Sequence, residues 1–252
     1  IIPTSNVKYV HQLERYRKYG YPIFGPSLES SRLEIDREHG QKVLKAHGIK
    51  TIPYQMFKIY DEAEAFVRRN PTRWVSKPLG DNSDKALSYV SKNPADMVYM
   101  LQRWKKLGKN MGTLMLQEFK DGIEFGVSGW LGKNGWVGLF NENFEFKKFM
   151  NDDLGVATGE QGTLMKYVEK SKLAKKVLEP LTEYLISIGH IGDVDVNCKV
   201  TEDGEPWPLE LTMRFGYPSS WIQAACHEGD PVEWMADALE GRNTLKCRTD
   251  HA

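Results

Sequence analysis

Apolar positions along the chain recur at two spacings, and the switches between them predict the elements. VKYVHQLERYRKYG reads as a helix and YPIFGP as a short extended piece, so residues 1–30 are too little for a domain and read as a linker or the end of a preceding one. A helix is predicted over about 34–47, with Ile35, Val43 and Leu44 among its apolar positions and Gly48 as its stop. Strand and helix then alternate. TIPYQMF reads as a strand, DEAEAFVRR as an amphipathic helix ended by Asn70-Pro71, and RWVSK as a strand. Asn93-Pro94 opens the helix ADMVYMLQRWKKLG, whose Met97, Met100, Leu101 and Trp104 lie at helical spacing and read as core.

From Thr113 the texture changes to strands, TLMLQEF, EFGVSGWL and GWVGLF, the last two joined by a turn at Gly132-Lys133-Asn134-Gly135. FKKFMNDDLGVATGEQGT is polar and punctuated by glycine, and reads as a loop. Ser171 caps a long helix, KLAKKVLEPLTEYLISIG, in which Pro180 predicts a kink. The strands IGDVDVNCKV and PWPLELTM flank the turn TEDGE. The last helix has Asp230 as N-cap, Pro231 as first residue and Glu233 as the third-position partner of a capping box. The pattern predicts an α+β architecture in which a small α/β lobe, about 51–119, is inserted before a larger antiparallel sheet.

Charge and composition narrow the partners. Across 252 residues, 34 Lys+Arg balance 34 Asp+Glu, which excludes a polybasic nucleic-acid binder and an acidic tail. No apolar run is long enough to span a bilayer, and the first residues lack a signal-peptide pattern. Cys198, Cys226 and Cys247 are too few and too far apart for a disulfide framework or a CxxC metal site. A cytoplasmic protein with no nucleic-acid or membrane partner is expected. Ile1 stands where a start methionine would, so the chain reads as a possible fragment. Oligomeric state is not legible.

Candidate chemistry begins at the hairpin. Residues two apart on a strand share a face, so Asp195 goes with Asn197 and Glu210 with Thr212. An even-length loop through TEDGE brings Asp195 and Glu210 to one face; an odd-length loop separates them. Together they form an all-oxygen set suited to Mg²⁺, though a plain solvated sheet face is the simpler account of the hairpin alone. Arg214 follows at once, able either to pair with these acids or to lean on a phosphate. Lys77 and Lys85 bracket the polar loop LGDNSD and suit successive phosphates, or are two surface lysines beside a turn. No P-loop, GxGxxG, GxSxG or Cys-His pair is present. Gln117-Glu118-Phe119-Lys120, before the turn Asp121-Gly122, is either a hinge whose backbone reads an adenine edge, with Glu124 on a ribose, or a hairpin corner.

Taken in order, FGPSLESSRLEIDR, AHGIKTIPY, WVSKPLGDNSDK, QEFKDGIE, FKKFMNDDLGVATGEQG and PLELTMRFGYP resemble the ATP-grasp superfamily, and within it the phosphoribosylamine–glycine ligase family, over roughly 24–241. On this resemblance residues 1–30 are expected to stand for at most the end of the family's Rossmann-like N-terminal domain, and the extra C-terminal domain of its long members is expected to be missing from this stretch. The resemblance implies an ATP-grasp fold with the nucleotide between its two lobes, and ATP-dependent ligation of a carboxylate to an amine through an acyl phosphate. It implies ATP and Mg²⁺ as cofactors and small-molecule carboxylate and amine substrates. Residue by residue, Arg37 and Lys77 fall on phosphate-binding positions and Lys85 on the closing loop. Gln117, Glu118, Phe119 and Lys120 fall on the adenine hinge and Glu124 on the ribose position. Glu210 bridges metal ions, Asp195 matches a metal-binding Asp of related ligases, and Arg214 faces the transferred phosphate. Lys147, Thr158 and Gly159 lie in the loop near the second substrate.

Four departures stand out. Thr212 replaces an Asn at a metal position, and the lid LGDNSDKA has one glycine. Tyr217-Pro218-Ser219 replaces Asp-Pro-Glu, and Thr158-Gly159-Glu160-Gln161-Gly162 replaces a loop ending Gly-Gly-Met-Gly. The first two bear on metal geometry and turnover, the last two on which substrates are used. Two alternatives therefore stand beside the family activity: a ligase for a different amino acid or amine, and a nucleotide-binding module without ligase activity.

Overall fold

The computed structural model describes residues 9–79, 84–152 and 154–250, without the side chains at 85, 157 and 159. The chain forms two compact units, Ile52–Asp121 and the remainder, Ile1–Thr51 with Gly122–Ala252.

The larger unit begins with α1 (Val10–Lys18), α2 (Leu28–Ile35) and α3 (Arg37–Ala46). The single helix expected over 34–47 is two. Asp36 ends α2 and caps α3, its carboxylate accepting from the His39 N–H at 3.0 Å. A short acid that can bond the backbone ahead of it competes with helix continuation. Ser27 and Ser30 form a reciprocal capping box that starts α2 earlier than expected. Residues just before it are built into the same unit: Phe24 is buried against Trp130 and Phe215, and Gly25 bridges to Ile191.

The smaller unit runs β1 (Tyr54–Phe57), α4 (Tyr60–Arg69), β2 (Trp74–Leu79), β3 (Tyr89–Val90), α5 (Pro94–Lys106) and β4 (Thr113–Glu118). Its sheet has the order β1-β4-β2-β3, all antiparallel. Asn93 caps α5 as expected, accepting from Asp96 N–H at 2.9 Å. Ala63 and Val67 of α4 and Met97, Leu101 and Trp104 of α5 pack with Trp74, Leu114 and Leu116 on one face of the sheet.

The larger unit resumes with β5 (Ile123–Gly132), β6 (Gly135–Lys148) and β7 (Ala157–Val168). The polar stretch read as a loop therefore belongs largely to two long strands, with only 149–156 between them. Leading into that stretch β6 carries Asn141, Asn143, Glu145 and Lys147 on one side, the first two buried and the last two half-buried, a strand pattern that does not read as amphipathic. The predicted long helix is broken at Pro180 into α6 (Lys172–Val177), a 3₁₀ turn at Glu179–Leu181 and α7 (Thr182–Ser187), because proline cannot supply the interior N–H. Next come β8 (Gly192–Val200), β9 (Pro206–Thr212), α8 (Ser219–Cys226), β10 (His227–Glu228), α9 (Pro231–Glu240) and β11 (Lys246–Cys247). Asp230 caps α9 by accepting from Val232 N–H at 2.7 Å, and Gly241 ends it in the left-handed conformation; the cap bond falls on Val232, not in a box with Glu233.

The main sheet has the order β7-β6-β5-β8-β9 and pairs β10 with β11 separately. Leu33, Val43 and Leu44 of α2 and α3, and Leu173, Val177 and Leu185 of α6 and α7, cover one face, where Val127, Val194, Val196 and Leu211 project. Cys198 is buried on this face as a small hydrophobe, and all three cysteines are free thiols. No helix among the described residues is long and apolar enough to cross a membrane.

Candidate active site

Covering one face of the main sheet with helices leaves the other to the alternate residues, and these are polar yet buried. Asn141, Ser128, Asp195 and Thr212 lie in one cross-strand row; Asn143, Gly126, Asn197 and Glu210 lie in the next. Ser128, Asn141, Asn143, Asp195 and Asn197 are all buried. A row of buried amides and acids does not stabilise a sheet as apolar packing does, so such a face points to chemistry.

The meeting of Asp195 with Glu210 depends on one extra residue. The turn between β8 and β9 is odd, and its register sets Val200 opposite Pro206 and Cys198 opposite Pro208. Continued unchanged, that register would place Glu210 opposite Val196, on the core face. The ladder instead shifts between Cys198 and Asn197, leaving Leu209 as the extra residue of a bulge. Glu210 then faces Asn197, and Thr212 faces Asp195. The prolines of PWPLELT suit this place, since β9 is an edge strand and proline has no ladder N–H to lose at a bulge.

The electrostatics of the face are unbalanced toward acid. Burial, reinforced by Glu145, pushes the Asp195 carboxyl up to about 7, against a hydrogen bond from Asn143 Nδ2 at 3.0 Å. Burial and Glu145 likewise push Glu160 up to about 7; the Thr163 hydroxyl donates to it. Asp193 is raised well above its usual range by burial and by Asp195, and accepts from Gln223 Nε2 at 3.1 Å. Lys147 lies between Glu124 and Glu145 at 2.6 and 2.8 Å; burial disfavours its charge, and the two carboxylates outweigh burial to hold it protonated. Asn197 Nδ2 donates to the same two carboxylates at 3.1 Å each. The side-chain oxygens of Asn143 and Asn197 are buried and accept no hydrogen bond among the described residues. Uncompensated acid beside orphaned amide oxygens is the donor set of a hard divalent cation. As placed, no three His, Cys, Asp or Glu among the described residues are grouped tightly enough to hold an ion.

Two arginines border this face. Arg37 Nη2 lies 3.0 Å from Glu210 Oε2. Arg214 is clamped by Glu34, with Nη2 and Nε at 3.0 and 3.1 Å from Glu34 Oε1, while Glu34 Oε2 accepts the Met213 N–H at 2.9 Å.

Within the smaller unit, Val75, Lys77, Met115 and Gln117 share the sheet face opposite α4 and α5: Lys77 pairs with Met115, and Gln117 with Val75 and Tyr54. Glu118 points the other way and pairs with Lys120 at 2.8 Å. The Phe119 ring carries the Arg73 guanidinium 3.5 Å from its centroid. The N–H groups of Glu118 and Phe119 donate to Pro53 O and Arg73 O. Any backbone reading of a ligand by this segment therefore uses its other groups.

The model of the phosphoribosylglycinamide synthetase ATP-grasp (A) domain matches residues 35–220. The chain belongs to this family. A bifunctional purine biosynthetic protein of Pichia angusta is 26% identical over 90% of the chain and 30% of its own length. The phosphoribosylamine–glycine ligase of Streptococcus pneumoniae is 22% identical over 94% of the chain and 58% of its own. The crystal structure of phosphoribosylamine–glycine ligase from Thermotoga maritima superposes with a TM-score of 0.71 at 18% identity, over 90% of this chain and 60% of that one. The fold is thus that of an ATP-grasp protein, α+β with antiparallel sheets, and the chain spans just over half the length of the single-function ligases it matches.

Of the residues singled out in this ATP-grasp chain, Asp195, Glu210 and Thr212 share the polar face, and Glu124 and Lys147, assigned by resemblance to different ligands, touch each other. Thr158 donates its hydroxyl to Lys147 O at 2.7 Å, so that proton is already committed. The Lys85 side chain, residues 80–83 of the lid and the Gly159 side-chain position lie outside what is described. Sequence reasoning missed Glu34, Ser128, Asn141, Asn143, Glu145 and Gln223. The alternation in β6 was a signal for three of them; Glu34 lay inside the motif FGPSLESSRLEIDR without a role given to it, and Gln223, on α8, carried none.

Proposed function

We propose that this chain is the ATP-binding and catalytic portion of an ADP-forming carboxylate–amine ligase of the phosphoribosylamine–glycine ligase kind, acting in purine biosynthesis in the cytoplasm. The observation that carries this reading is the convergence of Asp195 and Asn197, both buried, with the half-buried Glu210 and Thr212 on one polar face beside Arg214. Asp195, Glu210 and Thr212 would hold Mg²⁺, which neutralises charge on the triphosphate when bound.

In this reading a carboxylate oxygen of one substrate attacks the ATP γ-phosphorus, the bond to the β-γ bridging oxygen breaks, and ADP leaves. The amine of the second substrate then attacks the acyl carbon, phosphate departs with the C–O electron pair, and the amine gives up a proton as the amide forms. Phosphoryl transfer needs positioning and charge more than covalent help. Arg214, held at a fixed angle by Glu34, faces the transferred phosphate. Arg37, Lys77 and Lys85 contact the nucleotide phosphates, so the Arg37–Glu210 pair opens to admit them. The segment Gln117, Glu118, Phe119 and Lys120 reads the adenine edge through backbone groups other than the two N–H groups already used. Glu124, oriented by Lys147 and Asn197, takes the ribose hydroxyls. Lys147, through the Thr158 bond, also positions the strand carrying Thr158 and Gly159 beside the second substrate.

ADP release from MgATP, measured with glycine and phosphoribosylamine and then with a panel of other acids and amines, tests the proposal. Release that depends on a carboxylate and an amine together supports it. Tight ATP binding with no ADP under any pairing would make the chain a nucleotide-binding module instead.

A further inference from the structure

A cavity of about 410 Å³ opens in the larger unit, a size typical of small-molecule sites. Trp130, Phe215, Tyr217, Trp221, His227 and Met235 line it, and its walls are mostly apolar. None of these side chains is used by the chemistry above.

Two features tie the cavity to the reaction face. In the β5–β8 ladder Ser128 pairs with Asp195 and Trp130 with Asp193, without a shift between them. Trp130 therefore lies on the polar face one strand step past Ser128, about 7 Å along. Phe215 directly follows Arg214, whose Nη1 donates to Phe215 O at 3.1 Å. The cavity thus begins where the row of acids and the clamped arginine end.

Its inner wall is rigid. Trp130 Nε1 donates to Gln223 Oε1 at 2.9 Å, and Gln223 Nε2 donates on to Asp193. Phe24 and Phe215 pack against the Trp130 ring, and His227 meets it edge-on. Its rim is open: Tyr217 and Trp221 are 69% and 73% exposed, an unusual exposure for two neighbouring large aromatics. Tyr217 also stands at the position where the resembling family carries an acid, so a wall that would attract an ammonium group is here a phenol.

From this placement we infer that the cavity is the specificity pocket of the ligase, and that the carboxylate it activates carries a bulky apolar group, aromatic or branched aliphatic, in place of glycine's hydrogen. The inference rests on the ligase reading: it keeps the ADP-forming carboxylate–amine chemistry and replaces glycine, and with it the purine-biosynthesis step, by another class of acid. The carboxylate lies toward Arg214 and the apolar group passes Phe215 and Trp130 into the cavity. Hydrophobic pockets discriminate by about tenfold or more per methylene, so a phenyl group filling this one separates strongly from a hydrogen.

The test uses two readouts on the protein: calorimetric binding of L-phenylalanine, 3-phenylpropanoate, glycine and acetate, and ADP release from MgATP with each in the presence of an amine. Ala224→Trp fills the cavity from an exposed position on α8, and Trp221→Ala opens the rim. The phenyl compounds are expected to bind at least about tenfold more tightly than glycine and acetate, and Ala224→Trp to erase that preference. Melting temperatures within about 2 °C of the parent would show that both variants fold. Equal affinity for all four probes, or a preference that Ala224→Trp leaves untouched, overturns the pocket. ADP release as efficient with glycine as with L-phenylalanine overturns it too while leaving the ligase reading intact. Phenyl-selective binding with no ADP from any probe supports the pocket and sinks the ligase reading.

Discussion

Glu34 on α2 holds Arg214, 180 residues away, through both Nη2 and Nε, and spends its second oxygen on the Met213 N–H. A guanidinium gripped from one side by a carboxylate keeps its remaining donors aimed outward in one plane. The first helices of the chain therefore set the angle of the arginine that the proposed phosphoryl transfer relies on.

Glu34→Gln should lower ADP release by about tenfold or more through misplacement of Arg214, since a slip of about 1 Å in a positioning contact can cost two orders of magnitude. Both groups are partly buried, so a fall in stability of about 1–3 kcal/mol should accompany it. Rates and a denaturant midpoint on the same preparation check both; unchanged kcat would remove Glu34 from this role.

Glu210→Ala separates chemistry from stability. Its partner Arg37 and Glu210 itself are 37% and 38% exposed, and such a pair contributes about 0–1 kcal/mol. The variant should melt close to the parent while losing Mg²⁺-dependent ADP release. Retained turnover would take Glu210 out of the metal site.

Gly126→Ala should act on Asp195 without touching it. A Cβ at Gly126 would lie 2.2 Å from Asn143 Oδ1, so Asn143 must swing away and its bond to Asp195 breaks. Overpacking of this kind destabilises by about 1–3 kcal/mol, which for this length lowers the melting temperature by roughly 2–10 °C. Differential scanning calorimetry with and without Mg²⁺ should show the variant losing both stability and the metal-induced shift.

His190 makes stability fall in mild acid. Burial holds its imidazole at about 4, below the usual 6.5, with Ser30 Oγ 3.0 Å from Nδ1. The fold favours the neutral ring, so its contribution is complete above about pH 6.5 and is lost as pH falls from there toward 4. At about 1.36 kcal/mol per unit, this term approaches roughly 3 kcal/mol. His227, also lowered to about 4 by burial, acts in the same direction. Urea unfolding at pH 7.5, 6 and 5 should show a declining midpoint, with a shallower slope in His190→Asn; parallel slopes would refute the assignment.

Much of the smaller unit was legible because its elements are short, regularly alternating and closed by strong signals such as Asn93-Pro94. In the larger unit the reading failed where burial and polarity coincide. β6 puts the amides Asn141 and Asn143 on a buried face and follows them with the half-buried Glu145 and Lys147, so its alternation does not sort by hydropathy, and the chain from Phe146 read as a loop. The split between α2 and α3 turned on Asp36, one side chain choosing a backbone N–H over the helix.

By itself the sequence determined most of the element order, the break at Pro180, the caps at Asn93, Ser171 and Asp230, and the residue types on the polar face, because these follow from spacing and from local hydrogen bonding. It also carried the motif order that aligns the chain with its family. What only the tertiary structure decided was which residues meet. Parity across β8 and β9 could be stated but not settled from TEDGE, since a single unpaired Leu209 reverses it. Glu34 reaches Arg214, and Trp130 reaches Gln223, by packing between elements far apart in the chain, and no local pattern encodes such a contact.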